Sequence, residues 1–442
     1  MSRHRRIGSA RRLPAACAAI AALWLGTSAA AQVLQGPWIE QADRAIDKHR
    51  KVDLRVVVVD AAGNPVPNAP VRIEQRAHAF TFGLRLRIEA LPEALDAPLS
   101  DRAPVWRTFN AVTVDEGVSW IELNAGDNDW RTQRVDTAID WAEARGLAVR
   151  WGGVISSDRV MAPDWALSAD TQGLAVAMDE HVEHVLRHYG RRVNELDLYL
   201  DTLDDAVVAD RLGSGAVRRL FVQARAAQPD AVLGVRFNES FSGQRLHRTL
   251  ERLREMRASG VRFDRIAVEA RFDGMVVQRP VKQALDWLAE FNVPIVIARL
   301  RVAGPSMDAA AINMETVLRT MFAHPSVQGV YFASIESAGM TDDTAALLNP
   351  VGKPTPAGEV FDRLTHDTWW TSERHTADEL GNVRSRVFAG RYELLALLPD
   401  GSLARTATYI APGPGEHTVI VQPIAEPAQP TQASAPTGAG DE

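Results

Sequence analysis

Cysteine is nearly absent from this sequence. Cys17 is the only cysteine in 442 residues, and it precedes most of an apolar stretch close to the N-terminus. Because a lipoprotein carries its cysteine after such a stretch, lipid attachment at Cys17 is not expected. Removal of the N-terminal stretch would leave no thiol, which excludes disulfide bonds and thiolate chemistry from the rest of the chain.

Long apolar runs are missing as well. Residues 1–31 contain five arginines, then an apolar run over residues 15–25, then small residues that end at Ala31. This order is typical of a secretory signal peptide, and the run is shorter than the roughly 20 apolar residues of a transmembrane helix. No later segment approaches that length. The sequence predicts a signal peptide, no membrane span, and a periplasmic or secreted mature chain.

Aromatic residues make up only 7% of the chain, whereas 46% of its residues are apolar and 24% are charged. This composition is ordinary for a globular protein. The formal net charge is −7, and loss of the five arginines of residues 1–31, with no acidic residue, would lower it to −12. A chain this acidic is not expected to bind nucleic acid, and its charge serves mainly solubility.

The two ends of the mature chain have strand-like patterns. Residues 36–51 predict an amphipathic helix, and the runs at 53–60 and 71–75, joined by a turn-rich segment, predict a β-hairpin. Two more strand-like runs lie at residues 392–398 and 417–422. We expect all of these strands to form one small accessory β-unit.

Between these ends, short β-rich runs alternate eight times with longer stretches of helical periodicity. Eight units over about 290 residues predict an α/β fold, a (β/α)8 TIM barrel. A doubly wound open sheet is the alternative on alternation alone. The predicted strands cover residues 79–86, 111–115, 148–155, 195–201, 231–238, 265–272, 294–302 and 327–335.

The predicted organisation therefore has five segments. They are a signal peptide (1–31), an N-terminal helix and hairpin (32–77), the barrel (78–375), C-terminal strands (376–425) and a tail (426–442). The tail is rich in proline, alanine, threonine and glycine, a composition that predicts disorder.

The predicted strands end in charged residues. Active sites of such barrels lie at the C-terminal ends of the strands, so these side chains are the candidate site residues. They are Asp115, Glu116, Asp201, Arg236, Glu239, Glu269, Arg271, Arg299, Arg301 and Glu336, with Trp120 just beyond the second strand.

Three segments carry a family resemblance. They are Phe109-Asn110-Ala111-Val112-Thr113 followed by Trp120, the run DWAEARGLAVR followed by Pro163-Asp164-Trp165, and the closing run NPVGKPTPAGEVFDRL. Together they resemble glycoside hydrolase family 10, the endo-1,4-beta-xylanase family, over nearly the whole mature chain. The resemblance implies a barrel that handles β-1,4-linked polysaccharide. It also implies retaining hydrolysis by two carboxyl groups about 5–5.5 Å apart.

The residues that match the family's catalytic pair differ from it. Its acid/base glutamate corresponds to Asp201, whose carboxyl group sits on a shorter stem, and the asparagine before it to Leu200. Its nucleophilic glutamate corresponds to Arg299. A guanidinium cannot attack an anomeric carbon, because it stays protonated and offers no free lone pair. Most sugar-facing positions on the other strands differ too, so we expect the usual xylanase mechanism to be lost.

The charged residues at the C-terminal ends of the barrel strands would surround one opening of the barrel, which we call the mouth. Three interpretations of this charged mouth are open. Arg236, Arg271, Arg299 and Arg301 can pair with the neighbouring carboxylates in a salt-bridge network that closes the cleft. Alternatively, the arginines can bind a xylan-like or acidic saccharide without cleaving it, which is the interpretation that we adopt. A remodelled hydrolase would use Asp201 as general acid, with Glu269 or Glu239 as its partner. No cofactor is expected, and the sequence does not indicate the oligomeric state.

Three histidines could suggest a metal site. His181, His184 and His188 are spaced three and four residues apart, which places them on one side of a helix. No glutamate of the HExxH type lies between them, and the helix belongs to the predicted outer ring. We therefore interpret them as helix-surface residues and predict no metal.

Overall fold

The structure is a computed structural model that describes residues 36–88, 107–126, 129–193, 195–213, 215–238, 241–336 and 343–423. The predicted signal peptide, the predicted disordered tail and Glu239 lie outside the described residues. None of the described helices is long and apolar enough to cross a membrane.

The strands of the described residues are numbered in chain order. They are β1 (Lys51–Val58), β2 (Pro70–His78), β3 (Thr81–Arg85), β4 (Ala111–Val114), β5 (Ala148–Trp151), β6 (Ile155–Ser156), β7 (Glu195–Asp201), β8 (Val232–Phe237), β9 (Arg265–Phe272), β10 (Ile295–Val302), β11 (Val327–Phe332), β12 (Ser372–Thr376), β13 (Asn382–Phe388), β14 (Gly390–Leu397), β15 (Leu403–Ile410) and β16 (Glu416–Val421).

The helices are numbered in the same way. They are α1 (Pro37–Arg50), α2 (Trp120–Leu123), α3 (Gln133–Glu143), α4 (Asp164–Leu167), α5 (Thr171–Tyr189), α6 (Val207–Leu212), α7 (Ala216–Ala227), α8 (Gly243–Ala258), α9 (Gln278–Ala289), α10 (Met307–Ala323) and α11 (Pro356–Asp362).

The barrel is closed, which confirms the predicted fold and rules out the open sheet. Its strands follow the order β5-β4-β3-β11-β10-β9-β8-β7, every pairing is parallel, and β5 pairs with β7 to complete the ring. The strands are buried almost throughout, as parallel strands covered by helices are.

The third barrel strand is interrupted. It was predicted as one run, but β5 and β6 pair with different parts of β7, at Leu196 and at Tyr199. Gly152 and Gly153 lie in the gap, and Gly153 has a φ of +124°, which only glycine adopts readily. Because glycine has no Cβ atom, the backbone at this break can lie close to side chains at the barrel mouth.

The accessory β-unit is a sandwich of two sheets. One has the order β13-β1-β16 and the other β12-β2-β14-β15. The two sheets share an apolar core that includes Val56, Ile73 and Leu394. The prediction that strands from both ends of the chain form one unit is therefore confirmed.

The predicted N-terminal hairpin is wrong. β1 pairs with β13 and β16, whereas β2 pairs with β12 and β14. Each strand buries one apolar face, Val56 on β1 and Ile73 on β2, and these faces meet across the sandwich rather than lying side by side. The expected turn does form, with hydrogen bonds from Asp60 N to the Asn64 carbonyl at 2.9 Å and from Val66 N to the Val58 carbonyl at 3.0 Å, but the pairing does not continue along β1 and β2.

Candidate functional site

Asp115 lies at the centre of the barrel mouth, one residue beyond the end of β4. Its side chain is only 3% exposed, and three arginines from other strands bind both of its oxygens. Arg85 Nε is 2.5 Å from Oδ1, and Arg299 Nη2 is 2.6 Å from Oδ2. Arg236 Nη2 is 3.4 Å from Oδ2. Both carboxylate oxygens are therefore engaged by guanidinium groups.

Glu269, on β9, is the second buried carboxylate of the mouth. Its Oε1 lies 2.6 Å from Arg236 Nη2 and 3.6 Å from Arg299 Nη1. Glu116 completes the group, with Oε1 at 2.7 Å from Arg85 Nη2. We call these six residues the mouth cluster: Arg85, Asp115, Glu116, Arg236, Glu269 and Arg299. It contains as many arginines as carboxylates.

Gly152 allows the mouth cluster to pack. A Cβ atom at this position would lie 2.4 Å from Asp115 Cβ and 3.0 Å from Arg236 Nη1. The carbonyl oxygen of Gly152 also accepts a hydrogen bond from Arg236 Nη1 at 3.1 Å. The interruption of the third strand thus leaves room for Asp115 and Arg236, the two most buried side chains of the mouth cluster.

The electrostatics keep Asp115 ionised. Burial alone would raise its pKa, but Arg236, Arg299 and Arg85 together lower the pKa to about 2. Burial likewise works against the charge of Arg236, yet Glu269 and Asp115 hold its pKa above the usual value. Asp115 is therefore unsuited to proton transfer near neutral pH.

Asp201, the predicted general acid, is bound by groups outside the mouth cluster. Its Oδ1 accepts the backbone N–H of Leu203 at 2.8 Å, and Arg252 Nε on α8 is 3.2 Å from its Oδ2. Burial raises the pKa of Asp201 against these interactions. Asp201 and Glu269 thus have different arginine neighbours, Arg252 for Asp201 and Arg236 for Glu269.

The remaining predicted residues have separate environments. Arg271 and Arg301 both pair with Asp273 at the rim. Trp120 is 4% exposed, and its ring packs at 5.4 Å from His181, so it belongs to the core rather than to an open sugar platform. Glu336 is exposed beyond β11.

Arg85 is the member of the mouth cluster that the sequence analysis missed. It ends β3, the first strand of the barrel, and its guanidinium bridges Asp115 and Glu116. Its position at the C-terminal end of a barrel strand is the signal that identifies it, because the same geometric rule applies to all eight strands.

The three histidines of α5 do not converge. His181 Nε2 lies 3.2 Å from the carbonyl oxygen of Val154, whereas His188 Nε2 lies 3.0 Å from Asp136. His184 stacks on Trp130 with 3.5 Å between ring centroids. His181 is fully buried, and burial lowers its pKa to about 3, so the surface interpretation is wrong for this residue. The described residues contain no group of three or more side chains placed to hold a metal.

The family model of glycosyl hydrolase family 10 matches residues 76–348. This range contains all barrel strands and the whole mouth cluster. It covers more than half of the chain.

Two curated relatives match most of this chain. The anti-sigma-I factor RsgI6 of Acetivibrio thermocellus is 25% identical over 363 residues, which cover 82% of this chain and 47% of that protein. Endo-1,4-beta-xylanase 1 of Arabidopsis thaliana is 20% identical over 370 residues, covering 82% of this chain and 38% of that protein. The chain thus spans less than half the length of either relative.

Solved structures agree on the fold. Native xylanase 10B from Thermotoga maritima has a TM-score of 0.56 at 17% identity, covering 65% of this chain and 94% of that one. Xylanase 10B from Thermotoga petrophila in complex with xylobiose has a TM-score of 0.56 at 15% identity, with the same coverage.

Proposed function

The chain belongs to glycosyl hydrolase family 10, and we propose that it binds a xylan-like or acidic saccharide at the barrel mouth without retaining hydrolysis. We further propose that it does so as a periplasmic or secreted protein, after removal of residues 1–31.

The pairing of Arg299 with Asp115 carries this proposal. Retaining hydrolysis needs one carboxyl group that donates a proton and one carboxylate that attacks the anomeric carbon. Arg299 matches the position of the attacking group, and its guanidinium binds Asp115 Oδ2 at 2.6 Å instead. Asp115 cannot take over the attack, because it is buried and both its oxygens are bound by arginines.

The exposed edge of the mouth cluster supports saccharide binding. The side chains of Arg299, Glu116 and Arg85 are 33%, 28% and 25% exposed, so they present donors and acceptors to hydroxyl groups. Arg271, at the rim, is 59% exposed and can contribute to binding the carboxylate of an acidic sugar. Polar groups of this kind, fixed in place by their neighbours, suit a ligand with many hydroxyl groups.

The relatives support the ligand class of this proposal. One solved structure of the fold holds xylobiose, which favours a xylan-type ligand. The curated relative with 25% identity is named as an anti-sigma factor rather than as a hydrolase.

Calorimetric titration of the purified chain with xylotetraose and with an aldouronic acid tests the proposal. We expect saturable binding of at least one of them, weakened by Arg299→Ala, with no new reducing ends in the titrated sample. Turnover that disappears in Asp201→Ala would instead support the remodelled hydrolase. Absence of binding to either sugar would support a barrel whose mouth is closed by its own ion pairs.

A further inference from the structure

The four-stranded sheet of the sandwich has one face turned away from the shared core. Along β2, Val71 and Ile73 point inward, so Arg72, Glu74 and Arg76 point outward; β14 and β15 alternate in the same way. We call this side the outer face. Its charged members are Arg72, Glu74, Arg76, Arg374, Arg391, Glu393 and Arg405.

The outer face is basic although the chain as a whole is acidic. It contains five arginines and two glutamates, whereas the whole sequence has a net charge of −7. A local excess of positive charge on an acidic protein attracts anionic ligands selectively to that face.

The two glutamates of the outer face are already paired with arginines. Glu74 and Glu393 lie directly opposite each other in neighbouring strands. Arg72 pairs with Glu74, which also accepts a hydrogen bond from the Ser372 hydroxyl at 2.9 Å. Arg76 and Arg405 both pair with Glu393. Three arginines therefore compensate the only two carboxylates of the face.

Two arginines are left over. Arg374 and Arg391 are exposed and form no ion pair or hydrogen bond with any other described residue. Arg374 also lies directly opposite Arg72 in the register of β12 and β2. Like charges at a directly opposed pair destabilise a sheet, and an anion between them would relieve that repulsion.

We infer that the outer face is a second binding site, for a polysaccharide that carries uronate carboxylates. A guanidinium binds a carboxylate through two parallel hydrogen bonds, and Arg374 and Arg391 have this capacity unused. Arg391 lies opposite Tyr409, whose ring is 56% exposed and offers an apolar surface to a pyranose. The four strands span about 14 Å from β12 to β15, which suits several sugar units of one chain.

The arrangement of charges favours a polymer over an anionic membrane. Glu74 and Glu393, in the middle of the face, are neutralised by their arginines, so the uncompensated positive charge lies at two separate points, Arg374 on β12 and Arg391 on β14. A continuous anionic surface needs positive charge across its whole area of contact. A polysaccharide can place separate carboxylates over these two arginines and its neutral hydroxyl groups over the neutralised middle of the face.

This site is independent of the barrel mouth. β2 ends at His78 and leads directly into the N-terminal end of β3 at Thr81, whereas the mouth cluster lies at the C-terminal ends of the barrel strands. Binding of a neutral xylo-oligosaccharide at the mouth and of a uronate polymer at the outer face can therefore be scored separately.

Binding of the purified mature chain to polygalacturonate, measured by affinity electrophoresis, tests the inference. We expect retention at low salt that falls as the salt concentration rises. The double variant Arg374→Gln with Arg391→Gln should weaken binding on the order of tenfold. The matched control is Arg384→Gln, an exposed arginine on the other sheet of the same sandwich, which should leave binding unchanged.

Three results would overturn the inference. They are no retention of the wild-type chain by polygalacturonate, equal retention of the wild type and the double variant, and retention by anionic phospholipid vesicles without retention by polygalacturonate. Thermal unfolding of each variant checks that the sandwich is intact. If the double variant does not fold, the single variant Arg374→Gln is scored in its place.

Discussion

The mouth cluster and the outer face of the sandwich are both rich in arginine, but they differ in charge balance. At the mouth, Arg85, Arg236 and Arg299 meet three carboxylates, and Asp115 and Arg236 are buried. On the outer face, five arginines meet two carboxylates, and Arg374 and Arg391 are exposed.

This difference distinguishes two roles of the arginine side chain, one in holding the fold together and one in binding a ligand. A buried guanidinium must be paired, because an uncompensated buried charge costs several kcal/mol, so Arg236 first of all holds the mouth together. An exposed guanidinium needs no partner to remain charged and is available to a ligand. Four single substitutions test this difference.

Arg236→Met should have the largest effect. Arg236 is 2% exposed and pairs with both Asp115 and Glu269, so its loss leaves two buried carboxylates with fewer partners. We expect a loss of about 3–5 kcal/mol in the free energy of unfolding, measured by urea denaturation. A loss below about 1 kcal/mol would mean that the cluster is not a structural network.

Asp115→Asn should reduce stability in a pH-dependent way. The pKa of Asp115 is lowered from 3.8 to about 2 in the folded chain, so its charge stabilises the fold above about pH 4. This contribution, about 2 kcal/mol, is lost as the pH falls from about 4 to about 2. We therefore expect the difference in unfolding free energy between wild type and variant to shrink over this range. A difference that does not change with pH would contradict the depressed pKa.

Gly152→Ala should destabilise the barrel by about 1–3 kcal/mol, because the added methyl group overlaps the Asp115 side chain at 2.4 Å. Gly274→Ala is the matched control, since a Cβ atom there has no neighbour within 4 Å. Thermal unfolding of both variants distinguishes a steric effect from a general effect of replacing glycine. Equal effects at the two positions would remove the argument for close packing at Gly152.

Arg374→Gln should have the smallest effect on the ligand-free chain, and of opposite sign. Removing the charge that faces Arg72 should stabilise the sandwich by a few tenths of a kcal/mol, about the size of a cross-strand pair. Urea denaturation at low salt measures this gain, which added salt should abolish. A clear loss of stability would show that Arg374 has a structural role.

The sequence predicted the barrel better than the site. Apolar runs marked the barrel strands because burial on both faces leaves an unambiguous pattern, and β9 was placed correctly at both ends, Arg265 and Phe272. The outer sandwich strands were harder. β12 has no buried residue, and β13 and β15 bury only part of their length and carry polar residues between the apolar ones, so all three strands were missed.

For the site, the position of a residue at a strand end was a reliable predictor, but the sequence did not indicate the direction in which its side chain points. Asp115, Arg236, Glu269 and Arg299 meet as their strand ends suggested. Asp201 ends its strand too, yet it contacts α8, and β7 has a register irregularity between Asp197 and Tyr199 that no residue pattern announces.

The release of reducing ends from glucuronoxylan by the purified chain tests whether the barrel mouth has lost hydrolytic activity. Since we propose that Arg299, which binds Asp115, replaces the family's nucleophile, we predict no release above that of the buffer, from the wild type or from the Asp201→Ala control. Release by the wild type that disappears in Asp201→Ala would contradict the account, since it would show that the mouth still hydrolyses glycosidic bonds.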